Sequence, residues 1–291
     1  MPNHILENER LRVTVAEKGA ELISVIDKAL GRERIWTGDP AVWNRHAPIL
    51  FPFVGKVVGG KYRVGETEYP MKTQHGFARD MIFEQTAATE DSVTHRLTST
   101  PDTLAAYPYP FRLSVRHSLS KEEPGRLNIE WTVENPGDET MFFSIGGHPG
   151  FLLPEGTRKE DCRILFPGMD ELHYISASPA GFALPEKKTL KLTDGRADYQ
   201  SDIPDTWIFE DHQVKQVGIA LPDGAPYAML TCEQFPILAV WANPKGPFIC
   251  LEPWFGRTDD EGFTGTIDQK KDVQSLAAGE RRTMGYSIDF C

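Results

Sequence analysis

Apolar and polar residues alternate along much of this chain. Leu11-Arg12-Val13-Thr14-Val15, residues 111–116 and, most cleanly, Leu127-Asn128-Ile129-Glu130-Trp131-Thr132-Val133 place an apolar side chain at every second position. A period of two sends successive side chains to opposite faces of an extended backbone. Each segment therefore predicts a strand with one face in a core and the other in water. Residues 162–166, Trp207–Phe209, residues 227–231, Ile237–Trp241 and residues 284–290 predict further strands. The run Met141-Phe142-Phe143-Ser144 predicts a buried strand, and Met81-Ile82-Phe83 a short one. Helical periodicity is nearly absent. Short helical turns are expected only at residues 39–43 and Pro101–Ala106, where Asp or Pro can start a few helical residues.

Many short strands separated by turn residues imply an all-β protein, a large antiparallel sandwich or barrel. The 25 glycines and 22 prolines are dispersed and do not mark a linker. With no repeat or composition break, residues 1–291 are expected to form a single domain. The polar stretches 155–161 and 176–202 are expected to be surface loops.

Charge narrows the classes of partner. Asp and Glu number 42 against 31 Lys and Arg, a net charge of −11, whereas nucleic acid and anionic membranes call for clustered cations. A small molecule is the expected partner, with the chain a monomer or homodimer. Cys162, Cys232, Cys250 and Cys291 show no paired spacing and are expected to be free thiols in a reducing, cytoplasmic setting. No apolar run approaches membrane-spanning length, and no signal-peptide pattern opens the chain.

Three stretches carry candidate chemistry. Ile145-Gly146-Gly147-His148-Pro149-Gly150-Phe151 follows the buried strand at 141–144 and presents a histidine on a stiff turn. Histidine titrates nearest neutrality and suits proton transfer. Gln74-His75-Gly76-Phe77-Ala78-Arg79-Asp80 brings a histidine, a cation and an acid together, and the Arg79 fork suits hydroxyls or carboxylates. In Phe248-Ile249-Cys250-Leu251-Glu252-Pro253-Trp254-Phe255, Glu252 ends an apolar strand, where burial must be offset by partners or raise its pKa. Trp254 and Phe255 offer flat surfaces for a sugar ring. Lys56, after Pro48-Ile49-Leu50-Phe51-Pro52-Phe53-Val54-Gly55, is placed to contact a ligand oxygen. Asp205 sits at the entrance to a strand. No nucleotide-binding, nucleophile-elbow or zinc-protease motif is present, and His75 and His148 have no third metal ligand close in sequence; neither a metal nor a cofactor is expected.

At these stretches the chain resembles the galactose mutarotase (aldose 1-epimerase) superfamily, above all its LacX-like and hexose-6-phosphate mutarotase-like branch. Residues 48–56, His75-Gly76-Phe77-Ala78-Arg79, Gly146 to Phe151 and Glu252-Pro253-Trp254 occur in the family's order, and the resemblance covers nearly the whole chain. It implies an antiparallel β-supersandwich and an isomerase that interconverts the α and β anomers of an aldose or sugar phosphate. His148 matches the general acid and Glu252 the general base, while His75, Arg79 and Asp205 match residues that hold the sugar. Lys56 stands where many relatives carry arginine, and Trp254 belongs to the matching EPW motif. The pair implies a bell-shaped pH profile, with Glu252 ionised and His148 charged. A non-catalytic sugar-binding or sugar-sensing protein of the same fold is the alternative. A glycoside hydrolase is a weaker one, because hydrolysis commonly uses two carboxylates.

Overall fold

Strand Arg126–Glu134 shows why the alternation matters: Leu127, Ile129, Trp131 and Val133 are all buried, with the residues between them turned outward. It lies inside a nine-stranded antiparallel sheet, between Arg112–Leu119 and Arg281–Phe290. The computed structural model describes residues 3–199 and 206–291. Beyond Arg281–Phe290 the sheet continues through Pro226–Thr231, Gln216–Ala220 and Arg163–Leu165 to Arg196–Asp198. On the other side it runs through Ser92–Thr98 to Glu84–Ala88.

A six-stranded sheet packs on this one. Its order is Trp207–Phe209, Ile237–Trp241, Phe248–Phe255, Ile145–Gly147 and Ile49–Leu50, with Gly150–Leu152 also paired to Phe248–Phe255. The two sheets approach closely at Gly147, where a Cβ would lie 2.7 Å from the Tyr286 hydroxyl, so only glycine fits. Phe235 bridges them, 4.5 Å from the Phe255 ring and 6.3 Å from that of Tyr286. The interior is thus the sandwich that strand patterning predicts.

A four-stranded sheet, Asn3–Glu7 through Arg32–Glu33, adds Leu6, Leu11, Val13 and Val15 to the same apolar cluster. Arg34 and Asp27, both fully buried, join 3.0 Å apart beneath it. Arg34 also donates to the carbonyls of Tyr227 and Cys291, tying the N-terminal sheet to the C-terminus. No described helix is long and apolar enough to cross a membrane.

Some expectations need correction. Met81-Ile82-Phe83 is not a strand. The 3-10 turn Ala78–Asp80 captures the Met81 N–H, and Ile82 makes only an isolated bridge to Lys18. Residues 39–43 form a single turn closed on the Asp39 carbonyl, whereas the helix Pro101–Ala106 forms as expected, capped by Thr100. The stretch 176–202 contains strands Lys188–Lys191 and Arg196–Asp198. Both are short and mostly polar, so alternation is a weak signal there.

Candidate active site

The floor of the site is strand Phe248–Phe255, all eight of whose residues are buried. Its near-continuous apolar sequence is what burial on both faces requires. Ile249, Leu251 and Phe255 face the main core, while Cys250, Glu252 and Trp254 point to the outer face of the six-stranded sheet. Glu252 is therefore mid-strand, not at the strand's end as its sequence setting suggests. Directly across from it is Ala239, flanked by Ile237 and Trp241 opposite Trp254 and Cys250. A methyl group at that position leaves the carboxyl accessible from the outer side.

Strand register places the histidine. Gly146 pairs with Trp254 and Gly150 with Cys250, so the intervening turn holds His148 opposite Glu252. Pro149 has no N–H to continue the ladder, and the chain bulges toward the carboxyl. His148 Nε2 lies 3.2 Å from Glu252 Oε2. The two groups meet directly at the base of one cleft of about 500 Å³. The Trp43 and Trp241 rings pack around the imidazole at 4.9 and 5.4 Å, and His75 lies edge-on at 5.6 Å.

Burial governs the electrostatics. It raises the Glu252 carboxyl well above the usual carboxylate range, countered in part by the Trp254 indole N–H, and lowers His148 to about 3, with Arg79 adding to the effect. Both directions disfavour separate charges in a dry site. Burial therefore draws the pair toward its neutral arrangement, with the proton on the carboxyl. This reverses the ionised-Glu, charged-His arrangement expected from sequence.

His75 is locked in place. Its φ is +66°, and its Nδ1 accepts the Gly55 N–H at 3.0 Å, which leaves the proton on Nε2, beside the Gln74 side-chain amide. Gly76 must be glycine: φ is +69°, and a Cβ would fall 2.2 Å from the Phe51 carbonyl oxygen. Burial first, then neighbouring His148 and cations, holds His75 well below its ordinary pKa, so it is a neutral hydrogen-bonding group.

The cleft brings together six of the eight residues singled out in the sequence: Lys56, His75, Arg79, His148, Glu252 and Trp254. The Lys56 ammonium donates to the Ala180 carbonyl at 2.7 Å. Arg79 donates to the Gln74 carbonyl, and its pKa is lowered to about 10 by burial and by Arg45. Asp205 lies outside the described residues. Phe255 turns into the core and cannot stack on a ligand. That surface comes instead from Trp43 and Trp241, both partly exposed in the cleft. Sequence reasoning took them for a turn residue and a strand end. It also missed Arg45, which lines the cleft and is held by Asp80 at 2.6 Å. The pairing of Trp43 with a nearby cation just ahead of residues 48–56 was the available clue.

Comparison with known proteins shows which family and fold the chain shares. The model of a family described as aldose 1-epimerase matches residues 3–252. The plasmid form of Protein LacX from Lactococcus lactis subsp. lactis is 28% identical over 97% of both chains. A crystal structure of a galactose mutarotase related enzyme from Lactobacillus acidophilus superposes with a TM-score of 0.92 at 29% identity, covering 100% of this chain and 97% of the other. A galactose mutarotase-like protein from Lactobacillus casei gives 0.90 at 30% identity, with all of both chains covered. By the extent of the family match and the fold it shares with these relatives, the chain belongs to the aldose 1-epimerase family.

Proposed function

We propose that the protein is a mutarotase, interconverting the α and β anomers of an aldose by general acid–base ring opening. The observation that carries this reading is the 3.2 Å contact between His148 Nε2 and Glu252 Oε2 at the base of a sugar-sized cleft. The carboxylate of Glu252 takes the proton from the anomeric hydroxyl, and His148 gives one to the ring oxygen as the C1–O5 bond breaks. The C1–C2 bond of the open aldehyde rotates. Closure on the other face reverses both transfers, restoring the starting protonation. One proton suffices, because the post-opening arrangement, neutral imidazole beside carboxylic acid, is the one the empty site favours. Sugar hydroxyls entering the cleft support the charged arrangement by donating to the carboxylate. Each positioned proton transfer contributes about 10²–10⁴-fold.

Arg45, Arg79 and Lys56 line the cleft of a chain whose net charge is −11. This local excess of cations favours an aldose with an anionic substituent, such as a phosphate, over a neutral sugar. The test is exchange NMR on glucose, galactose and their 6-phosphates, with Glu252→Gln as control. Accelerated anomer exchange that this variant abolishes is the expected result. Binding without acceleration refutes the enzymatic reading and leaves a sugar-binding protein.

A further inference from the structure

The pair at the base of the cleft has a third neighbour that the proposed chemistry does not use. Cys250, fully buried on the same strand face as Glu252, brings its sulfur to the group: one ligand atom each from His148, Cys250 and Glu252 lie within 4.8 Å of one another. The third donor comes from a strand about 100 residues beyond His148, which is why sequence spacing hides it. Two further observations point to a ligand. His148 Nδ1 is buried without a hydrogen-bond partner among the described residues. His148 and Glu252 of the group line the open cleft, with the Cys250 sulfur just beneath them.

We propose that His148, Cys250 and Glu252 form an inhibitory site for a thiophilic divalent cation, Zn²⁺ or its surrogate Cd²⁺. Sulfur, imidazole and carboxylate together suit zinc, at about 2.0–2.3 Å from each donor, which an ångström-scale contraction of the group would reach. Three protein donors leave a fourth position open toward the cleft for water or a sugar oxygen. Binding releases the thiol proton and the proton shared by the pair, so dication, thiolate and carboxylate sum to zero charge. That neutrality suits a buried position beside Arg79. The bound cation occupies the lone pairs that ring opening requires and so blocks turnover; this inhibitory half rests on the mutarotase reading, while the binding half does not.

The test uses full-length protein carrying Cys291→Ser, which removes the exposed thiol. Cd²⁺ alone is titrated while thiolate-to-cadmium charge-transfer absorption is followed in the ultraviolet. One equivalent should saturate the band, Cys250→Ala should abolish it, and Glu252→Gln should weaken binding by roughly tenfold or more, since even supporting groups of a metal site are worth about 10–100-fold. Cys250→Ser, which preserves volume, replaces the alanine variant if that fails to fold. No band in the parent protein, or a band that survives loss of Cys250, overturns the site. In parallel, Zn²⁺ should inhibit anomer exchange in the parent, and Cys250→Ala should keep its activity with at least roughly tenfold lower sensitivity. Cadmium binding at Cys250 in a protein that never accelerates exchange overturns the mutarotase reading alone, and active enzyme indifferent to both metals overturns the site alone.

Discussion

Replacing Glu252 by glutamine should lower activity and, at the same time, make the protein progressively more stable than its parent as pH rises. The substitution keeps the shape of the side chain but removes the group proposed to accept the anomeric proton. The loss expected from one general-base contribution is about 10²–10⁴-fold in kcat, or roughly 3–5 kcal/mol of transition-state stabilisation. The stability change follows from counting protons. In the unfolded chain glutamate titrates near 4.5 and histidine near 6.5, so above pH 6.5 the two groups hold no proton. In the folded protein the raised Glu252 pKa keeps one proton on the pair, while His148, lowered to about 3, adds none. The folded state thus binds up to one proton more, and stability falls by as much as about 1.4 kcal/mol per pH unit between 6.5 and the raised Glu252 pKa. In Glu252→Gln both states hold no proton at this site, and the slope vanishes. The melting temperature of the variant relative to the parent should therefore climb by roughly 2–4 °C per pH unit above 6.5. Scanning fluorimetry of both proteins at a series of pH values measures it directly. A difference in melting temperature that stays constant as pH rises from 6.5 refutes the argument that burial holds the proton on the carboxyl.

Three other outcomes are expected. Because one proton serves both tautomers of the pair, kcat/KM should be level through neutral pH, falling on the acid side only toward His148's value of about 3 and on the alkaline side where Glu252 finally ionises. A bell with both limbs between pH 5 and 9, as sequence alone suggests, would show that burial does not dominate. Arg45→Ala should raise KM for a phosphorylated aldose by about tenfold or more while leaving KM for the neutral sugar nearly unchanged, given about 1.5–3 kcal/mol for a charge-assisted hydrogen bond; equal shifts in both would place Arg45 in a structural role. Asp27→Ala leaves Arg34 charged and unpaired in the interior and should cost about 3–5 kcal/mol in urea denaturation, with a loss under 1 kcal/mol arguing that Arg34's carbonyl contacts satisfy it alone.

Residues whose role depends on local pattern were legible in the sequence. Leu127 to Val133 had to be a half-buried strand, and the Gly-Gly-His-Pro-Gly turn had to interrupt one. The cleft was partly legible because Lys56, His75, Arg79, His148 and Glu252 sit in compact motifs. What escaped depends on pairing between distant strands. Glu252 reads as a strand end until its partner Ala239 is known, and Cys250 reads as filler until register sets it beside His148. Trp43 and Trp241 resemble core aromatics in sequence, because only the tertiary arrangement decides which of their faces meets solvent. The protonation of the pair was misjudged for a related reason: reference pKa values describe groups in water, and both side chains are almost fully buried.

Reactive groups here sit on the outward side of a strand whose other side belongs to the core, while the cleft's walls come from separate segments: the turn bearing Trp43, the Gly55-Lys56 pair, residues 177–181 and Thr258. Foundation and superstructure are thereby decoupled. Mutational drift in the walls can retool what the cleft admits without disturbing the sandwich beneath, and directed evolution of a new ligand preference should begin with those segments, leaving the floor untouched.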